Sequence, residues 1–110
     1  MTSVVHMVFF DLGAPPHTVL AETAAMVTRI RREVPGLLEL HFGNHEGGKM
    51  YDGYVDRSNG FNFALVSRHA TAQDLAVYTA HPAHVEFANR LKSWAKRPAV
   101  AVDFVTGSKL

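Results

Sequence analysis

Apolar side chains recur along this chain with two different spacings, which predict strands and helices in the order βαββαβ. The strand-like segments are short and rich in β-branched and aromatic residues, and we place them at residues 3–10, 37–45, 61–68 and 100–106. Between the first two strands, helical spacing links Leu20, Ala24, Val27, Ile30 and Val34. Pro15 and Pro16 suit the first turn of this helix, which ends before Pro35.

A second helical region precedes the last strand and is interrupted by a proline. Thr71 is followed three residues later by Asp74, a pair typical of a helix start, and this helix continues through Tyr78. Proline lacks an amide hydrogen and disfavours helical geometry in the residue before it, so His81-Pro82 should end the helix. A new helix then runs from about Pro82 to Ala95.

This order of elements predicts an α+β protein with a ferredoxin-like fold, in which a four-stranded antiparallel sheet carries its helices on one face. A length of 110 residues with 47% hydrophobic composition suits a single domain over residues 1–110. Apart from His6, the first strand is apolar on both faces, so helices on one face leave apolar side chains uncovered on the other. We therefore expect the second face to pack against another copy in a homodimer.

The segment 46–60 breaks the regular pattern. It contains Gly, Asp, Asn and Ser at turn positions, has no periodicity and is longer than most connections in small domains. Two interpretations remain open, a mobile lid and a hairpin tip.

Charge and cysteine content exclude several classes of function. Eleven basic and ten acidic side chains give a net charge near zero, so we expect neither a nucleic-acid partner nor a polybasic membrane anchor. The absence of cysteine excludes disulfides, thiolate catalysis and cysteine-ligated metals. A small molecule or a protein remains the expected partner.

Targeting signals are sparse. No apolar run approaches the roughly 20 residues of a membrane span, and the first residues show neither a basic lead nor a small-residue cleavage site. We expect a cytoplasmic protein with no membrane contact. The final residues Ser108-Lys109-Leu110 match the peroxisomal address that a eukaryotic cell reads, with a frayed tail as the alternative.

The stretch YTAHPAHVEF, residues 78–87, concentrates groups that can carry chemistry. His81, His84 and Glu86 are all metal-ligating types, but Pro82 separates the two histidines and Glu86 projects to another side of the helix. We therefore predict no metal at this stretch. A general base fits better, because His84 falls in the first helical turn, where the helix dipole disfavours imidazolium and keeps the ring neutral. Tyr78 could then polarise or protonate an oxygen of a bound molecule.

Other polar and aromatic residues have plainer interpretations beside their functional ones. His6, in an apolar strand, suits a hydrogen-bonded core residue as well as a site residue. His81 suits a helix cap, and Phe87 and Trp94 suit the core, although all three are also candidates for contacts with a substrate. The remaining histidines are expected at the surface or in turns without a role: His17, His41, His45 and His69.

Several segments together resemble the stress-responsive α/β-barrel domain (Dabb) family. They are the first strand with His6, the passage VPGLLELHFG at residues 34–43, the stretch YTAHPAHVEF and the final VDF at residues 102–104. The resemblance covers nearly the whole chain. It implies that ferredoxin-like subunits pair through their sheets into a dimeric α+β barrel.

The resemblance also implies roles for individual residues. In a plant polyketide cyclase of this family, the residue matching His84 is the catalytic histidine, Tyr78 matches its supporting tyrosine, and His6 matches the histidine of its first strand. By this likeness His84 would remove an acidic α-proton, Tyr78 would orient the substrate or stabilise the oxyanion, and His6 would hold the substrate. The segment 46–60 has no clear match, so the substrate is not carried over.

Three functions remain in competition. The first is a cyclase or lyase that acts on a carbonyl compound through a histidine base and needs no cofactor. The second is a non-catalytic dimer that binds a small apolar ligand or a protein partner. The third, a haem or quinone monooxygenase, is suggested only by other dimeric α+β barrels, and no residue here specifies such a cofactor.

Overall fold

A computed structural model describes residues 2–45 and 49–107 of the chain. Four strands and three helices follow one another along this part of the sequence. Their bounds, in chain order, are β1 Val4–Phe10, α1 Val19–Glu33, β2 Leu37–Asn44, β3 Phe63–His69, α2 Ala72–Ala80, α3 Pro82–Trp94 and β4 Val100–Val105.

The four strands form one antiparallel sheet with the order β2-β3-β1-β4. This arrangement confirms the predicted ferredoxin-like α+β fold. The register aligns His6 of β1 with Ser67 of β3 on one side and with Asp103 of β4 on the other. Ser67 is aligned in turn with Leu40 of β2. Since paired residues project to the same face, these four side chains form one row across the sheet.

The hydrophobic core lies between the helices and the face of the sheet that carries this row. Helix α1 buries Val19, Thr23, Val27 and Ile30, which recur at three- and four-residue intervals along one side. Phe87 of α3 packs edge-on against Phe42 of β2, with ring centroids 5.3 Å apart. The buried cluster consists of Leu12, Val19, Val27, Ile30, Val34, Leu40, Phe63, Leu65, Tyr78, Ala83, Phe87 and Leu91.

Three predicted boundaries were wrong, the start of α1 and both ends of β3. Helix α1 begins at Val19, whose amide donates to the Pro16 carbonyl at 2.9 Å, so both prolines lie in the approach to the helix. Strand β3 begins at Phe63 instead of residue 61, because the Phe61 amide closes a turn with the Ser58 carbonyl at 3.0 Å. The strand also continues to His69, which pairs with Val4 of β1.

The other face of the sheet carries apolar side chains that no described element covers. Val102 and Phe104 of β4 are 49% and 46% exposed, and Val100 is similarly open to solvent. The register places Met7 and Val66 on the same face. We call this surface the open face. All six residues of β4 are exposed, so this edge strand is the least covered part of the sheet.

The segment between β2 and β3 has no helix or strand within residues 49–60, and residues 46–48 of the predicted segment lie outside the described part. His45 Nε2 lies 3.2 Å from a carboxylate oxygen of Asp56. That carboxylate also accepts a 2.8 Å hydrogen bond from the Ser58 amide, and these contacts lower the pKa of Asp56. The segment is therefore tied to the end of β2.

The structure bears on the expectation about a membrane span but not on the C-terminal signal. The C-terminal Ser108-Lys109-Leu110 lies outside the described residues. Within residues 2–45 and 49–107, none of the helices has the length and apolar character that crossing a bilayer requires.

Candidate functional site

The break between α2 and α3 brings the last turn of one helix against the first turn of the next. His81 has extended backbone angles, φ −66° and ψ 136°, and caps both helices. Its Nδ1 accepts a 3.0 Å hydrogen bond from the Ala83 amide, and Pro82 occupies a position where a missing amide hydrogen costs nothing. Tyr78 and His84 lie on either side of the break, with ring centroids 4.3 Å apart.

His84 is held in one tautomer by the end of α2. Its Nδ1 lies 3.0 Å from the Thr79 carbonyl oxygen. A carbonyl can only accept, so Nδ1 carries the proton and donates, which leaves a lone pair on Nε2 of the neutral ring. Burial is the main cause that lowers the pKa of His84, and the charges of His6, Lys92 and His81 lower it further against the opposing hydrogen bond to Thr79. The ring is thus a neutral base near pH 7.

Tyr78 is fully buried at the centre of the site. Burial raises the pKa of Tyr78 to about 12, an effect that Ser67 opposes to a smaller extent. The phenol therefore keeps its proton at neutral pH and is a hydrogen-bond donor. Within the described residues no group completes a well-formed hydrogen bond with its oxygen, although the Ser67 hydroxyl lies near enough to act on its pKa. A buried hydroxyl without a well-formed hydrogen bond costs stability, so this group is a candidate for contact with a bound molecule.

His6 lies on the helix-covered face, with its ring centroid 6.1 Å from that of Tyr78. Its Nδ1 is 2.5 Å from a carboxylate oxygen of Asp103 on the neighbouring strand. An ionised carboxylate only accepts, so Nδ1 donates and Nε2 is the nitrogen left for another partner. The side chain of Asp103 is 53% exposed and that of His6 only 16%, so the pair extends from the exposed edge of the sheet towards Tyr78.

An open cavity of about 660 Å³ lies beside His84, between α3 and the covered face of β1. Its walls are largely apolar and include Val8, Phe10 and Ala88, together with three basic side chains. Of the three residues assigned catalytic roles, His84 lines this cavity, whereas Tyr78 and His6 do not; the Tyr78 ring lies between those of His84 and His6 in the chain of ring contacts.

Comparison with protein-family models decides the family of this chain. The model of the Stress responsive A/B Barrel Domain, Dabb, matches residues 4–106. The chain belongs to the Dabb family. No curated protein matches it in sequence.

Solved structures similar to this Dabb chain share its fold at low identity. A hydroxynitrile lyase from Passiflora edulis is 19% identical, with 98% of this chain and 96% of that chain covered and a TM-score of 0.77. A Dabb family protein with a ferredoxin-like fold from Mesorhizobium loti is 17% identical, with 94% and 96% covered and a TM-score of 0.65. A dimeric ferredoxin-like protein of unknown function from Thermobifida fusca is 20% identical, with 94% and 90% covered and a TM-score of 0.71.

The three residues suggested as substrate contacts lie outside this cavity. His81 caps α3, as described above, and Phe87 is 1% exposed in the core. Trp94 packs against the core beneath the Arg90 guanidinium, whose carbon is 4.3 Å from the ring centroid. In the part of the Dabb domain that the structure describes, no three His, Cys, Asp or Glu side chains are grouped to hold a metal ion.

Two residues of the site were missed by sequence reasoning. His69 was expected at the surface, but it is fully buried, its Nε2 is 2.8 Å from the Ser67 hydroxyl, and its ring centroid is 4.7 Å from that of Tyr78. Burial is the main cause that lowers the pKa of His69. Asp103 received no role, although a carboxylate in the middle of the apolar strand VAVDFV is a signal that could have identified it.

Proposed function

We propose that this Dabb protein is a cyclase or lyase that acts on a small carbonyl compound with His84 as its general base. The observation that carries the proposal is the hydrogen bond from His84 Nδ1 to the Thr79 carbonyl, because it leaves the Nε2 lone pair available beside an apolar cavity. The lowered pKa of His84 supports the same role, since a base must be unprotonated before it can accept a proton.

The reaction begins with proton transfer from carbon to nitrogen. His84 Nε2 takes the proton from the carbon next to a carbonyl group, and the C–H electron pair moves into an enolate. In a cyclase, the enolate carbon then forms a bond to a second carbonyl carbon of the same molecule. That carbonyl oxygen takes up the proton, and His84 returns to its neutral form. A lyase runs these steps in the opposite direction: His84 takes the proton of a hydroxyl group, the carbon–carbon bond breaks to give a carbonyl and an enolate, and the enolate carbon takes up the proton from His84.

We assign Tyr78 and His6 to the oxygen atoms of the substrate. The Tyr78 phenol, with a pKa of about 12, remains a donor and can stabilise negative charge on the enolate oxygen. His6, whose Nδ1 donates to Asp103, would accept a hydrogen bond through Nε2 from a hydroxyl group of the substrate. Neither residue lines the cavity, so these contacts require the reacting end of the substrate to reach past His84.

Proton exchange at carbon tests this proposal without knowledge of the natural substrate. Wild-type protein in D₂O should accelerate exchange of the α-protons of simple aryl and alkyl ketones, phenylacetone among them, as followed by proton NMR. His84→Gln should reduce this rate roughly 10²- to 10⁴-fold, the usual contribution of a positioned base. His17→Gln, at an exposed position in the approach to α1, is the matched control and should exchange at the wild-type rate.

The same experiment separates catalysis from binding. If the ketones bind but wild type and His84→Gln exchange their protons at the same rate, the base assignment is wrong. That outcome would favour the non-catalytic alternative, a dimer that only binds a small ligand or a partner.

We also propose that the protein is a homodimer paired through the open face. Exposed Val102 and Phe104 support this, because a second copy would remove their apolar surface from water. The structural neighbour from Thermobifida fusca is described as dimeric, which supports the same arrangement. Light scattering coupled to size exclusion should give twice the mass of one chain.

A further inference from the structure

Three basic side chains from one short stretch, at the end of α3 and just after it, line the cavity beside His84. Lys92, Lys96 and Arg97 all line it, and no carboxylate of the described residues does. The rest of the wall is mainly aliphatic and aromatic carbon. A cavity with largely apolar walls and a group of cations is complementary to a molecule with an apolar body and an acidic group.

Of the three cations, the arginine already has an ion-pair partner in the protein, although its Nε completes no hydrogen bond. Arg97 Nε lies 3.2 Å from a carboxylate oxygen of Asp11, and the guanidinium carbon is 3.8 Å from the centroid of the Phe61 ring. Its NH2 group also donates to the Asn59 carbonyl. Lys92 and Lys96, in contrast, have no ion-pair partner in residues 2–45 and 49–107.

Lys92 and Lys96 are exposed, whereas His84 is half-buried. Lys92 follows His84 by eight residues on α3, which is about 12 Å along the helix axis. Helical side chains lean towards the N-terminus, so the Lys92 ammonium can approach the space beside Ala88. The Lys96 stem packs on Gly13, where an added Cβ would lie 2.6 Å from Lys96 Cε, and this contact holds the second lysine in place.

We infer that the molecule bound in this cavity is a small amphipathic anion, whose acidic group is held by Lys92 and Lys96 while its apolar body points towards His84. The inference rests on the proposed function for the role of His84 and adds the class of substrate, a carbonyl compound with a carboxylate or phosphate group remote from the reacting carbon. Both acidic groups have the chemistry that two ammonium groups bind.

Three eight-carbon probes test the inference: octanoate, octyl phosphate and neutral octanamide. Their affinities for the full-length protein should be measured at low salt from amide chemical shifts in ¹H–¹⁵N spectra. We expect the better of the two anions to bind about tenfold more tightly than octanamide, since two partly exposed ion pairs together contribute about that factor. The carboxylate and the phosphate probes distinguish the two sources of negative charge.

Substitutions test whether Lys92 and Lys96 cause the preference for anionic probes. Lys92→Met with Lys96→Met keeps the aliphatic stems and removes both charges, so the anions should lose their advantage over octanamide. Lys49→Met removes one exposed lysine that does not line the cavity and should keep the advantage. Equal binding of anions and octanamide to wild type, no binding of any probe, or an anion advantage that survives in the double variant would each overturn the inference.

The outcomes also separate this inference from the proposed function. His84→Gln should keep the preference for anions while it loses proton exchange at carbon. If His84→Gln loses proton exchange but wild type binds all three probes equally, the inference is overturned and the proposed function is not. Unchanged exchange in His84→Gln together with an anion preference abolished by the double lysine variant would instead overturn the proposed function.

Discussion

Each face of the sheet carries side chains that depart from the usual distribution of polar and apolar groups. The covered face buries Ser67, His69 and Tyr78 completely. The open face leaves Val102 and Phe104 about half exposed. A buried polar group loses hydrogen bonds to water, and an exposed apolar group gains no burial, so both arrangements lower the stability of an isolated chain.

This comparison indicates a different explanation for each face. On the covered face, the polar groups form a connected set, because Tyr78 contacts the rings of His6, His69 and His84. Such a set costs stability, and we propose that binding or chemistry at the cavity is the reason for it. On the open face, the apolar groups form a continuous surface that is explained by a second copy.

The largest expected effect comes from a charge placed on the open face. Val102→Glu should convert the proposed dimer into monomer, because pairing would bury an unpaired carboxylate from each chain at a cost of several kcal/mol. We expect the dissociation constant to rise at least about 100-fold, which corresponds to about 3 kcal/mol. Light scattering over a concentration series measures this.

Val55→Glu is the matched control for this change. Val55 is 60% exposed in the segment between β2 and β3, so the same substitution there should leave the assembly unchanged. Equal masses for both variants and the wild type, at every concentration, would refute the assignment of the open face as the dimer surface.

A second pair of substitutions separates packing residues from site residues on the covered face. Phe87→Ala should lower the free energy of unfolding by about 3–5 kcal/mol, because it opens a cavity in the core. Tyr78→Phe should change it by less than about 1 kcal/mol, since the phenol oxygen has no well-formed hydrogen bond to lose among the described residues. Urea unfolding measures both values.

Activity provides the second half of this test. Tyr78→Phe should still slow proton exchange on the ketones, since the lost hydroxyl is the assigned donor to the enolate oxygen. A large loss of stability in Tyr78→Phe, with no change in exchange rate, would mean that the hydroxyl is a structural group.

Most of the fold could be predicted from the sequence, because hydrophobic periodicity and proline determine the backbone conformation within short segments. The alternation of Phe63 and Leu65 identified β3, and His81-Pro82 located the boundary between α2 and α3. Pro15 and Pro16 misled the prediction of α1, because two prolines suit the approach to a helix as well as its first turn. The local signal is the same in both cases.

The site was only partly predictable, because its contacts depend on strand register. Nothing near His6 in the sequence indicates that Asp103, 97 residues away, is its partner. His69 looked like a turn residue because it precedes Ala70 and Thr71, but one further residue of pairing places it under Tyr78. Both contacts depend on which residues of neighbouring strands pair. The hydrophobic periodicity of a single segment contains no information about that pairing.

The central claim is that His84 is a neutral base with its lone pair on Nε2, and nitrogen NMR of the histidine rings tests it most directly. The lowered pKa means that the unfolded chain, with an ordinary histidine pKa of about 6.5, takes up this proton more readily than the folded protein. The contribution of His84 should therefore lower the free energy of unfolding as the pH falls below about 6.5.

A pH titration of ¹⁵N-labelled protein, with His84→Gln used to assign the signals, gives both tautomer and pKa. The account predicts that at pH 7 the His84 ring is neutral with its proton on Nδ1, and that its pKa lies below about 6.5. A ring protonated on Nε2, or a pKa above that value, would contradict the base assignment.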